Sequence, residues 1–303
     1  MIKNNLLKGG VALLLGLMLS CDNTTADPIN QNNPNNSGGS GSGTTGPTIT
    51  GPRILHKIVV NNVTNQEFVT NGNVLQKAIF QESSGPTSFI VGTATYTSGK
   101  ITKVKFGQEL NGAPVSNGQT HDFDITYDSG GKISYTTCQR AIGGMANFNS
   151  EYTYTYDSSG KMTKIVEKKK SGTTYVNFTN YNFTNVGDNI TKIVIEAGIT
   201  SSTGVPDMSS LMSNGTYNYP LYDDKTNPYA TLPKTFFVMW GLFHPANFQS
   251  LSANNVKSFN IVFPPIGSVP APLVNGDFTY LYDSMNYPTS DQTQTQKYIY
   301  KAL

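Results

Sequence analysis

A short phrase that returns along the middle of the chain constrains the fold more than any other feature. It reads Tyr96-Thr97-Ser98-Gly99-Lys100-Ile101, then Tyr127-Asp128-Ser129-Gly130-Gly131-Lys132-Ile133, then Tyr156-Asp157-Ser158-Ser159-Gly160-Lys161-Met162. An altered copy, Asn185-Val186-Gly187-Asp188-Asn189-Ile190, keeps the frame, and a degenerate last one spans Tyr280 to Pro288. A spacing of about thirty residues marks a repeated supersecondary unit. Each copy reads as a β-hairpin, and Asp157-Ser158-Ser159-Gly160 supplies an Asx-type turn and a glycine for positive φ. Tyr152 to Tyr156 alternates aromatic and polar β-branched residues, the period-two pattern of a strand with one buried face. After the turn, Met162, Lys164 and Val166 fall on one side and Thr163, Ile165 and Glu167 on the other, so that strand is expected to be partly covered on both faces. The expectation is an all-β fold: a large antiparallel meander of repeated hairpins, curved or partly closed into a barrel so that few edges stay open.

One segment breaks the β pattern. Phe236, Met239, Trp240 and Phe243 follow helical spacing, with Pro233 at the start and His244-Pro245 as a stop. A short apolar helix in the C-terminal part is therefore expected to plug the concave face or one end of the sheet. Strands resume over 256–263, 277–283 and 297–301, and the Pro-rich stretch 264–272 is a loop.

The N-terminal fifty residues have a different logic. Lys3 and Lys8 precede the apolar run Val11–Leu19, which is too short for a spanning helix of roughly twenty residues. It reads as an export signal over 1–20. Residues 21–52 are rich in Asn, Gly and Ser and cannot bury enough apolar surface to order themselves, so they form a flexible tether. A single β-rich domain is expected over 53–303, with repeat hairpins at 90–200 and the helix-containing part at 206–303.

Charge is nearly balanced, with 21 Lys and Arg against 19 Asp and Glu, and no basic footprint for nucleic acid is present. The run Lys168-Lys169-Lys170 reads as a solvated hairpin end. With two cysteines and three histidines, neither a disulfide framework nor a metal-ligand spacing emerges. No cofactor is expected. Alternation places Asp122 and Asp124 on one strand face and His121 on the other. The adjacent Asp223 and Asp224 read as turn-capping residues, because paired catalytic carboxylates must face each other across a cleft.

Met18-Leu19-Ser20-Cys21 resembles the lipobox of bacterial lipoproteins, which implies lipidation at Cys21 and a membrane anchor. From Ile54 onward the chain resembles the uncharacterised repeat-bearing lipoproteins of the Bacteroidetes. The likeness rests on the hairpin phrase, on Leu221 to Tyr229, on Leu251 to Val256, and on Tyr282 to Thr289. It implies an outer-membrane lipoprotein facing either the periplasm or the outside, and it brings no catalytic residues with it. The leading functional expectation is non-enzymatic binding of a glycan, a lipid or an envelope protein. Trp240 and the strand tyrosines Tyr152, Tyr154 and Tyr156 are the candidate ligand contacts, with core packing as their competing role. A polysaccharide hydrolase using Asp223, Asp224 or Asp122 is the alternative. A pilus-like subunit, cleaved after Arg53 to free a first strand at Ile54, is a further one.

Overall fold

A computed structural model describes residues 51–82, 87–265, 271 and 273–303. The signal segment, Cys21 and the tether up to residue 50 lie outside the described residues, as does most of the Pro-rich loop beyond Pro265.

The strands follow one another as β1 (Arg53–Val60), β2 (Val63–Asn71), β3 (Val74–Gln81), β4 (Ser88–Thr97), β5 (Lys100–Leu110), β6 (Ala113–Pro114), β7 (Gln119–Tyr127), β8 (Ile133–Ile142) and β9 (Met145–Tyr156). They continue as β10 (Met162–Ser171), β11 (Thr174–Val186), β12 (Asn189–Ile199), β13 (Met212–Thr226), β14 (Asn254–Val262), β15 (Leu273–Asp277), β16 (Tyr280–Tyr282), β17 (Pro288–Asp291) and β18 (Gln296–Ala302). Helix α1 (Lys234–Phe243) lies between β13 and β14, followed by a 3-10 segment, Pro245–Leu251.

The fold is all-β: one antiparallel meander in a single 18-stranded sheet. Each strand pairs with the next, with two exceptions: the two-residue β6 is a spur on β5 and β7 takes its place, and β15 runs on into β16 without pairing to it. The pairing also returns to its start. β15 pairs with β14, the chain bends, and β16 pairs with β17. β17 then pairs with β18, and β18 with β1, which already pairs with β2. Between β15 and β16 the chain itself carries the sheet on along β14, where the Phe278 amide donates to the Lys257 carbonyl at 2.8 Å, so the ladder runs as a ring and few of the edges of a long meander stay open.

The repeated phrase explains how neighbouring hairpins join. In its turn, the Asp157 carboxylate accepts from the Ser159 and Lys161 amides at 2.9 Å each, and Gly160 takes a left-handed φ of 84°. The tyrosine before each turn reaches back to the preceding hairpin. Tyr96 donates to the Leu75 carbonyl at 3.0 Å, Tyr127 to Ile101 at 2.6 Å and Tyr156 to Ile133 at 2.9 Å. In the altered copy Asn185 does the same to Met162 at 2.9 Å. The turn lysine reaches forward, with Lys100 5.0 Å from the Tyr127 ring centre and Lys132 5.2 Å from that of Tyr156. The phrase is a device for stitching hairpin to hairpin. All its turns lie at one end of the ring; we call the other end the mouth.

Helix α1 lies inside this ring. Phe236 to Leu242 are all buried, so the helix is covered on every side rather than along the one stripe expected from its spacing. The difference follows from closure, because a helix enclosed by a curved sheet has no solvent face. Trp240 stacks on Phe80 at 3.9 Å and on Phe243 at 5.2 Å. The returning 3-10 segment brings Phe248 against Phe183 at 5.0 Å and Tyr181 at 6.0 Å.

The outer face carries charged pairs. Lys103 pairs with Asp124 at 2.6 Å and Lys105 with Asp122 at 3.4 Å, across β5 and β7. A lipid-facing barrel carries the reverse arrangement, apolar outside and polar within. Among the described residues no helix is long and apolar enough to cross a membrane.

Two expectations are corrected here. Lys168-Lys169-Lys170 does lie at a hairpin end, where β10 turns into β11, but it is half-buried rather than solvated: Lys169 sits 3.7 Å from the buried Glu167 and Lys170 binds Glu151. The pilus-like alternative needs a removable first strand. Instead β1 is held between β2 and β18, and Arg53 is buried, paired with Asp283 and lying 4.7 Å over the Tyr287 ring.

Candidate functional site at the mouth of the ring

Register decides which side chains point inward. Phe106, which packs on Phe236 and Trp240 of α1, stands opposite His121; His121 stands opposite Arg140, and Arg140 opposite Phe148. The next rung, further from the mouth, is Phe123, Cys138, Ser150 and Lys169. Below it lie Ile125, Thr136, Tyr152 and Glu167. The inner wall therefore grades from polar at the mouth to aromatic around the helix.

The polar side chains form a connected row. Ser88 and Gln108 donate to Glu82 at 2.6 and 3.3 Å, and the Gln119 amide donates to Gln108 Oε1 at 3.1 Å. Arg140 Nη2 donates to Gln119 Oε1 at 3.0 Å, while Gln119 Nε2 lies 3.2 Å from the His121 ring. Beyond a strand boundary, Ser150 and Tyr152 donate to Glu167 at 2.6 and 3.1 Å, and Tyr181 donates to it at 3.4 Å. Gln119, His121, Arg140, Phe148 and Lys169 stay half-buried, so the row is reachable from the mouth. Its floor is the end of α1, where the Phe243 ring meets His121 edge-on at 4.8 Å.

Burial, reinforced by the charges of Arg140 and Lys169, pushes the His121 pKa down to about 3. His244, the residue after α1, is pushed down to about 4 by burial. Both are neutral near pH 7, so His121 offers one donor and one acceptor. Burial pushes the Cys138 thiol strongly up, and the Glu167 charge adds to this, so Cys138 is a protonated thiol without nucleophilic character. Tyr152 and Tyr181 are likewise held neutral by burial and by the adjacent Glu167. The row can present a guanidinium, a neutral imidazole and side-chain amides to a ligand, beside the ring of Phe148.

The residues singled out from the sequence have other places. Trp240 and Tyr152 are sealed in the core; neither offers a ligand surface. Tyr152 instead orients Glu167 behind the polar row, and Trp240 supports Phe243. Tyr154 donates to Thr136 at 2.9 Å, and Tyr156 is the hairpin stitch already described. His121 and the two aspartates do fall on opposite faces, with Asp122 outward on Lys105. Asp223 caps its turn, accepting from the Lys225 amide at 2.9 Å and the Asn255 amide at 3.1 Å, and it binds the Tyr282 hydroxyl. Asp224 is exposed beside Lys225, at 3.3 Å. Asp122 lies on β7 and the adjacent Asp223 and Asp224 on β13, each engaged with different partners, and the three do not converge on one site. Among the described residues no group of three or more His, Cys, Asp or Glu could hold a metal ion.

The residues that sequence reasoning passed over are Gln119, Arg140, Glu167 and Lys169. They carried a signal in the alternation itself: Gln119 and His121, Cys138 and Arg140, Glu167 and Lys169 each occupy the parity that would otherwise be apolar core.

No protein-family model and no curated protein matches the chain. Among solved structures, a porin-like protein from Bacteroides vulgatus is similar over 82% of this chain and 97% of its own, at 9% identity and a TM-score of 0.44. A porin-like protein from Bacteroides uniformis is similar over 81% of this chain and 93% of its own, at 13% identity and a TM-score of 0.33.

Proposed function

We propose that the chain is a lipid-anchored protein of the bacterial cell envelope that binds a hydroxyl-rich ligand, a glycan, at the mouth of its ring without acting on it chemically. The observation that carries this reading is the half-buried row of Gln119, His121, Arg140 and Lys169 above the end of α1. Side-chain amides, a neutral imidazole and a guanidinium beside an aromatic face suit hydroxyl-bearing rings, since each donor and acceptor left half-buried gains from a partner. A lipid tail would need the apolar interior, which α1 already fills. With lipidation at Cys21 and a tether over residues 21–52, as the sequence leads us to expect, this reading has the protein held at a membrane while the charged pairs of the outer face stay in water. Outer-membrane attachment, facing the periplasm or the cell surface, belongs to the same proposal.

Two measurements test it on the full chain. Labelled palmitate should be incorporated by the wild type and not by Cys21→Ala. An array of envelope-derived oligosaccharides should retain the detergent-solubilised wild type, and the Gln119→Ala/His121→Ala double variant should lose that retention. Equal retention of wild type and double variant would remove the mouth from the account.

A further inference from the structure

Resting on the binding role just proposed, we infer that the mouth selects a glycan carrying a carboxylate, and that Arg140 is the residue that recognises it. Arg140 is half-buried on the inner wall between His121 and Phe148. Its Nη2 donates to Gln119 Oε1 at 3.0 Å, but its Nε is shielded from water and has no hydrogen-bond partner among the described residues. A guanidinium edge with one donor on a neutral amide and its neighbour unused is under-satisfied, and burying such a donor is costly.

The nearby carboxylates do not supply the missing partner. Glu167 is engaged by Ser150, Tyr152, Tyr181 and Lys169. Glu82 is engaged by Ser88 and Gln108. The side-on edge of Arg140, Nε with Nη2, matches the two oxygens of a planar carboxylate in a bidentate, charge-assisted pair. The ligand carboxylate would displace the Gln119 carbonyl oxygen from Nη2 and take Nε as well. Released, the Gln119 amide is free for a sugar hydroxyl, as is the His121 ring. Arg140, whose charge adds to burial in depressing His121, favours an anion at this wall, whereas Lys169 is already paired with Glu167. A carboxylate on a hydroxylated ring is the ligand class that uses all of these groups together.

The test is titration calorimetry of the detergent-solubilised full chain with trigalacturonate, with the neutral galactose trimer, and with acetate at matched carboxylate concentration. Wild type should bind the acidic trimer about tenfold or more tightly than the neutral one, as loss of one charge-assisted pair implies. R140Q should abolish that preference, and R140K, which keeps the charge but not the fork, should restore only part of it. Unchanged thermal midpoints of R140Q and R140K separate a lost contact from a lost fold. Equal affinity of wild type for acidic and neutral trimers, or an acidic preference unaffected by R140Q, overturns the inference while leaving glycan binding at the mouth intact. Acetate binding as tightly as the trimer overturns it in favour of a simple anion site. Failure of both trimers to bind overturns it too, and a silent oligosaccharide array would then also dismiss the underlying reading.

Discussion

Replacing Gly241 by alanine probes the enclosed helix most sharply. A Cβ built at this position would lie 2.2, 2.4 and 2.7 Å from three atoms of the Phe248 ring. Ordinary contact begins near 3.4 Å, so the ring would have to retreat by about 1 Å. It has nowhere to go, since Phe248 is fully buried and packed edge-on against both Phe183 and Tyr181. Overpacking a tight core costs about 1–3 kcal/mol, and this contact belongs at the upper end. Alanine returns about 1 kcal/mol through helix propensity. The net expectation for Gly241→Ala is a loss of about 2 kcal/mol, read as a lower urea midpoint at unchanged slope. Pairing it with Phe248→Ala should make the effects non-additive, because removing the ring removes the clash. A single variant more stable than wild type by about 1 kcal/mol, as at an exposed helix position, would refute the placement of the return segment against α1.

Further expectations concern the stitches, the buried charge, the histidines and the thiol. Tyr127→Phe deletes the hydroxyl that binds Ile101 and should cost about 1 kcal/mol by urea denaturation. Glu167→Ala strands Lys169 and three hydroxyls on the inner wall and should cost about 3 kcal/mol or more in the same assay. His121 and His244 titrate lower in the folded chain than in the unfolded one, so below about pH 6.5 the unfolded state binds more protons. The stability from keeping them neutral is present above that pH and falls by about 1.4 kcal/mol per pH unit per histidine towards their folded values. His244→Gln should flatten the acid limb of a stability-versus-pH series relative to wild type. Cys138 should stay unreactive to thiol reagents until the chain unfolds, since it is buried and its thiol is held protonated.

The hairpin ends were legible in the sequence because their chemistry is local. Asp128, Asp157 and Asp283 each cap a turn through backbone amides two to four residues on, and the copies at Ser98-Gly99 and Gly187-Asp188 turn in two residues, with left-handed φ at Ser98, Gly99 and Gly187, so every copy forms a hairpin end. The helix boundaries were legible for the same reason, with Pro233 and His244 flanking α1. Closure was left open because it depends on where β18 ends up, and the pairing of Arg53 with Ala302 joins residues at opposite ends of the domain. The site was missed for a related reason. Lys169 reads in the sequence as part of a solvated run and Arg140 carries no signal of its own, and only the register with Phe106 and Ser150 assigns them to the inner wall. Conversely, Trp240 and Tyr152 drew attention as large aromatics, yet the helix and sheet that bury them leave no face for a ligand.

Binding at the mouth of a ring plugged by its own helix is the proposal on which the ligand contacts rest. Hydrogen exchange of the full chain with and without the tightest oligosaccharide tests it directly. Protection is expected at the mouth ends of β7 to β10, around 119–121, 138–142, 148–150 and 167–170, with the repeat turns at the other end unchanged. Protection confined to those turns, or to the outer-face pairs around Asp122 and Asp124, would contradict it.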